Sequence, residues 1–137
     1  MKNKIKIGSR KIKHISLKAL RKKAWDLQSE YIRRIAKGRC FTCGTKKPWK
    51  EMQAGHYIHG NRMDFVKLNI QCQCVHCNHF LSGNQGAFAE RLILEYGQEA
   101  VAQLREISHQ EKKFTIFELE DLILTYKKKL QELAEGK

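Results

Sequence analysis

Two cysteine pairs constrain this chain more than anything else in it. Cys40-Phe41-Thr42-Cys43 and Cys74-Val75-His76-Cys77 stand 30 residues apart. A CxxC bend turns both sulfurs toward one point, and zinc takes four such ligands as a tetrahedron. Any fold of this chain must therefore bring Cys40, Cys43, Cys74 and Cys77 together around a structural Zn2+. Four thiolates leave the ion no open position, so its task is folding and not catalysis. A fifth cysteine, Cys72, makes the count odd and disfavours a disulfide framework. Metal-binding thiols suit a reducing compartment, so a cytoplasmic location is expected. On a strand over 69–73, Ile70 and Cys72 share one face and Asn69, Gln71 and Gln73 the other. That makes Cys72 a buried free thiol; as a ligand in place of Cys74 it would break the CxxC spacing.

Charge is the second constraint. The net charge is +13, and the segment 1–39 carries almost all of it, with 14 Lys/Arg against Asp26 and Glu30. Charge segregated in this way points to a polyanion, and beside a metal-ligand cluster that polyanion is nucleic acid. No apolar run is long enough to span a membrane, and the first 13 residues lack the apolar stretch of a signal peptide. A membrane partner is not expected.

Along the chain, residues 1–15 read as a basic flexible arm, in which Ile5 and Ile7 allow a short strand. Residues 16–137 read as a single domain. Its first part is a basic helix over 16–37, capped by Ser16, with Leu17, Leu20, Ala24, Leu27, Tyr31 and Ile35 on one face. Arg10, Lys11 and Lys13 of the arm, with Lys18, Arg21, Lys22, Arg33 and Arg34 of the helix, are candidate DNA-backbone contacts; the alternative is a solvated face. Trp25, off the stripe, packs on the zinc core or stacks on a base. The core over 38–84 contains strands at 52–58 and 68–73, a polar loop between them, and a short helix starting near Asn78 and ending by Gly83. The region 85–135 is helical, interrupted at Gly97, with a capping box at Thr115–Glu118. Leu119, Ile123, Tyr126, Leu130 and Leu133 then form a seam that packs on the rest of the domain or on a second copy.

Between the cysteine pairs lies His56, followed by Asn69 and by Asn78 directly after Cys77. That order resembles HNH, or ββα-metal, nucleases, and the asparagine in last place resembles endonuclease VII-type junction resolvases. Gly55-His56-Tyr57, Asn69, Gln73-Cys74-x-x-Cys77-Asn78 and Gly83-Asn84 together resemble the lambda phage NinG/Rap recombination endonuclease family. The resemblance implies an α+β fold, mostly helical, with a zinc-stapled ββα-metal (HNH-like treble clef) core between a basic N-terminal helix and C-terminal helices. It implies that His56 is the general base, that Asn69 orients the His56 region across the hairpin, and that Asn78 offers its amide oxygen to a catalytic Mg2+ or Mn2+. HNH enzymes often carry an aspartate just before the histidine, where this chain has Gly55. A hard cation prefers carboxylate oxygen, so Asp64 or His59 of the loop joins the site, or DNA phosphate supplies the charge.

The activity so implied is hydrolysis of phosphodiester bonds in branched recombination intermediates, Holliday junctions and D-loops, inside an infected or lysogenic bacterial host. Two cuts per junction imply a homodimer, with the 119–133 seam and the stripe of the basic helix as candidate interfaces. Recombination proteins are further candidate partners. Two alternatives stand beside this: a general HNH nicking endonuclease on duplex DNA, and a non-catalytic zinc-stapled DNA-binding module.

Overall fold

The computed structural model describes residues 15–136 and, before them, the backbone of two short strands, β1 (Lys6–Ile7) and β2 (Arg10–Lys11). These pair antiparallel, Lys6 opposite Lys11. The rest of the basic arm, including Lys13, and the side chains of Arg10 and Lys11 lie outside the described residues.

Helix α1 (Leu17–Ile35) starts where the Ser16 hydroxyl accepts from the Ala19 amide at 3.2 Å. It ends through Ala36, Lys37 and Gly38, the last two at positive φ. Gly38 is required there, because a Cβ would fall 1.7 Å from the Lys47 carbonyl oxygen. The hairpin that follows is shorter than the apolar pattern suggests: β3 (Gln53–His56) pairs antiparallel with β4 (Ile70–Gln73). Its register sets Ala54 opposite Cys72 and His56 opposite Ile70, with Gln53 opposite Gln73 on the other face. Asn69 falls in a 3-10 turn (Lys67–Asn69) just before β4.

The turn after Cys74 begins at Val75 and winds wide over His76–Phe80, earlier than a helix starting at Asn78. Helices α2 (Gln85–Tyr96), α3 (Ala100–Ser108) and α4 (Ile116–Ala134) complete the chain. Gly97 caps α2 at φ 104°, and Thr115 and Glu118 form the capping box of α4.

Three apolar clusters tie these elements together. Cys40, Met52, Cys72, Cys74 and Cys77 pack with Ile32 and Ala36 of α1. Met63 of the loop packs with Phe88, Leu92, Ala100 and Leu104 of α2 and α3. Leu20 and Ala24 of α1 pack with Leu119 and Ile123 of α4. The last cluster decides between the two packings left open for the α4 seam: Leu119 and Ile123 meet Leu20 and Ala24 of the α1 stripe within the chain. Polar contacts seal the pair: the Tyr126 hydroxyl donates to Gln28 Oε1 at 3.1 Å, and Gln28 is fully buried. Leu119 is 1% exposed, so Leu119→Ala should cost about 2–5 kcal/mol of unfolding free energy, read from urea midpoints.

Candidate metal centre and active site

The hairpin's two faces carry two sets of candidate residues. The face on α1 bears Cys72 and His56; the opposite face bears Gln53, Gly55 and Gln73 and meets the turn after Cys77.

The four paired cysteines converge. The sulfurs of Cys40, Cys43, Cys74 and Cys77 all lie within 4.8 Å of one another, and Cys43 and Cys74 are 3.7 Å apart. A tetrahedron with zinc–sulfur bonds of about 2.3 Å has sulfurs about 3.8 Å apart, so the set fits zinc. Neighbouring donors are placed for thiolates. The Cys77 amide points at Cys74 Sγ at 3.4 Å, and Asn84 Nδ2 at Cys77 Sγ at 3.6 Å. Burial raises the Cys40 thiol, but hydrogen bonds from Thr42 and from backbone amides outweigh it and bring the pKa down to about 6. Burial dominates at Cys74 and pushes its thiol up to about 12, the cost that a bound cation offsets by holding the thiolate. Cys72, outside the set, is buried, and its pKa is pushed up to about 11 by burial.

His56, the last residue of β3, is held on several sides. Its ring stacks on Trp25 of α1 with centroids 4.9 Å apart and planes at 9°, and His59 stacks on it at 4.9 Å. His56 Nε2 lies 2.9 Å from Asp64 Oδ1. Arg21 Nη2 lies 2.8 Å from Asp64 Oδ2 and donates also to the Asn61 carbonyl at 2.6 Å. Burial raises the Asp64 carboxyl, but hydrogen bonds from His56 and Arg21 and the Arg21 charge outweigh it and hold it below the usual range. An ionised carboxylate only accepts, so Nε2 is the donor and carries the proton. With that proton on Nε2, the tautomer that accepts a further proton does so on Nδ1.

Asn69 fixes the backbone around this group. Its Nδ2 donates to the Ile58 carbonyl at 2.8 Å and the Met63 carbonyl at 3.2 Å, and its Oδ1 accepts from the Ile58 amide at 2.8 Å. Gln28 of α1 donates to the Asp64 carbonyl at 2.8 Å. Asp64 is thus clamped at both its backbone and its carboxylate.

Asn78 stands on the other face, where its Nδ2 donates to Gln53 Oε1 at 2.8 Å. Its Oδ1 turns to Gly55: a Cβ on Gly55 would lie 2.8 Å from that oxygen and 1.8 Å from Gln73 Oε1. The space a side chain at position 55 would take is therefore filled from the neighbouring strand. Gly55, one residue before His56 and facing Asn78 Oδ1, is the link between the two sets.

The basic candidates divide. Arg21 is turned inward, over Phe65 and Phe114 and onto Asp64, so its charge is engaged within the chain. Lys22 pairs with Asp26, and Arg34 pairs with Glu30. Arg33 and Arg34 lie over the Trp49 ring, 5.1 and 5.5 Å from its centroid. A groove of about 680 Å³ runs beside His59, between the loop Gly60–Met63 and the segment Ser108–Lys113; Arg62, Lys112 and Lys113 line it with one carboxylate, Glu111, and Lys112 pairs with Glu118 at 2.6 Å. Sequence reasoning missed this groove, the inward role of Arg21, and buried Gln28 and Gln73. Gly55 inside a strand was the readable sign of a close approach, since a strand glycine often marks one.

Helices packed around the small β3–β4 hairpin, with a four-cysteine cluster that could staple zinc, define an α+β protein. The family profile of the Bacteriophage Lambda NinG protein matches residues 1–136. The chain belongs to this NinG family of phage recombination proteins. No curated protein and no solved structure matches it. Among the described residues, no helix is long and apolar enough to cross a membrane.

Proposed function

We propose that this chain is a zinc-stapled, metal-dependent endonuclease that hydrolyses phosphodiester bonds in branched DNA recombination intermediates. The observation that carries the catalytic part is the chain Arg21–Asp64–His56, which holds Nε2 as a donor and leaves Nδ1 as the basic nitrogen. A neutral imidazole so oriented takes a proton from an attacking water. Trp25, Gln28 and Asn69 keep the ring and its loop in place, so little reorganisation is needed when DNA arrives.

Asp64 acts here as a positioning residue for His56 and not as a metal ligand, since both its oxygens are already engaged. His59, stacked on His56, faces the basic groove and is placed to meet a phosphate. The cation falls to Asn78 on the far face of the hairpin. The chemistry a bound Mg2+ or Mn2+ supplies at such a site is neutralisation of charge on the scissile phosphate and the leaving oxygen. Arg62, Lys112 and Lys113 of the groove, with Lys18, Lys22, Arg33 and Arg34 of α1 and the basic arm, would follow the DNA backbone without reading bases.

Asp64→Asn separates positioning from ligation. An amide can donate to Nε2 and so favours the wrong tautomer. Cleavage should fall by more than tenfold, with the Mg2+ requirement unchanged, as expected when an orienting partner of a catalytic histidine is removed. A shift in the Mg2+ titration would instead make Asp64 a ligand.

Branched DNA as substrate is supported by membership of the NinG family. Two cuts across a four-way junction call for a symmetric pair of active sites, hence a homodimer, built through a face other than the α1–α4 seam. The test is competition between a labelled four-way junction and linear duplex of the same sequence with Mg2+ or Mn2+. Preferential cutting of the junction is expected. Equal cutting of both would make the protein a general nicking endonuclease. Binding without cutting would make it a zinc-stapled DNA-binding module.

A further inference from the structure

Gln73 is fully buried, and its carboxamide has a determined orientation. Nε2 donates to the Gly83 carbonyl at 2.9 Å and to Thr42 Oγ1 at 3.1 Å. A carbonyl can only accept, so the amide cannot be turned over, and Oε1 must face Gly55. There it is buried without a hydrogen-bond partner. An orphaned buried acceptor is costly and calls for an explanation. Asn78 Oδ1 faces the same point, and the missing Gly55 side chain leaves room for the two amides to approach it.

We propose that Gln73 is the second protein ligand of the divalent cation, its Oε1 joining Asn78 Oδ1 at Gly55. The inference rests on the metal-dependent reading above and supplies the oxygen that Gly55 lacks. Both donors are neutral. Hard cations bind carboxylates better than amides, so the free protein holds Mg2+ or Mn2+ weakly. The charge that completes the shell comes from the DNA phosphate, and the cation therefore loads together with the substrate. Gly55 and Gln73 are also mutually exclusive with the arrangement common in HNH enzymes. An aspartate at 55 would drive its Cβ into Gln73 Oε1.

The experiment is a Mn2+ titration of zinc-loaded protein, followed by loss of the free-ion paramagnetic resonance signal, with and without uncleaved four-way junction. Wild type, Gln73→Met, Gln73→Glu and Asn78→Ala are compared, with zinc content and junction binding measured as folding controls. Wild type should bind Mn2+ at least tenfold more tightly with the junction than without it. Gln73→Met, which keeps the length and removes the oxygen, should lose at least tenfold of that affinity. Gln73→Glu should gain at least tenfold in the absence of DNA, a gain that no purely structural role produces, and this arm stands even where Gln73→Met folds poorly.

If Asn78→Ala loses Mn2+ while both Gln73 variants bind it as wild type does, Gln73 is not a ligand. In that case a turned-over Asn78 amide donating to Gln73 Oε1 explains the buried oxygen. If neither Asn78→Ala nor the Gln73 variants alter Mn2+ binding, the cation lies elsewhere and the placement of the metal in the proposed function fails with it.

Discussion

Cys43→Ser should leave a chain that does not fold, or that folds only as a loose, zinc-free state. Cys43 is the informative choice among the four cysteines because it is the exposed one. A serine there makes no cavity and buries no unpaired group, so on packing grounds alone the change should be near neutral. What it removes is one of four sulfurs that lie within 4.8 Å of one another. Structural zinc contributes about 10–16 kcal/mol of apparent binding free energy in zinc-finger peptides. The whole stability of a domain is about 5–15 kcal/mol. The apolar cluster around Cys40, Cys74 and Cys77 is itself small, with Met52, Cys72, Ile32 and Ala36 as its other members. It cannot replace the metal. Circular dichroism and zinc content of the purified variant check this, and a Cys43→Ser protein with native melting behaviour and no zinc would rule out a structural ion.

His56→Ala should have the opposite character: normal folding, normal DNA binding and lost cleavage. A positioned general base contributes about 10²–10⁴-fold to rate, so the loss should fall in that range. The alanine leaves Trp25 and His59 without their stacking partner, but the hairpin register, the zinc set and the clamp of Asn69 on Ile58 and Met63 do not depend on the imidazole. Asp64 keeps its ion pair with Arg21. Stability should therefore change much less than activity.

The sequence made the local signals legible. Ser16, Thr115 with Glu118, and Gly97 mark helix boundaries through backbone chemistry that acts over three or four residues, and the structure follows them. The cysteine pairs were equally readable, because CxxC geometry is local and only the meeting of the pairs is not. The strand lengths were harder. Residues 52–58 read as one strand, yet β3 stops at His56, where Asn69 takes over the Ile58 backbone groups that a ladder would have used. The α4 seam could not choose between a partner copy and its own domain, since periodicity shows only that a face is buried. Its answer lay 98 residues away in Gln28, a polar residue on an otherwise apolar face.

Arg21 shows the same limit in the site. As part of a Lys/Arg-rich helix it reads as a phosphate contact, but in the fold it meets Asp64, 43 residues on. Gln73 is the plainest case. Only the antiparallel register, with Gln53 opposite Gln73, brings its amide to Gly55, and so gives the glycine before His56 a physical meaning.

Metal-dependent phosphodiester hydrolysis by His56 on branched DNA is decided by single-turnover cleavage of a labelled four-way junction with Mg2+, wild type beside His56→Ala, with junction binding followed in the same samples. Both proteins should bind, wild type should cut, chelation of the Mg2+ should stop it, and His56→Ala should cut at least a hundredfold more slowly. Cleavage by His56→Ala at the wild-type rate, or binding by both proteins with no cleavage in Mg2+ or Mn2+, would contradict this reading.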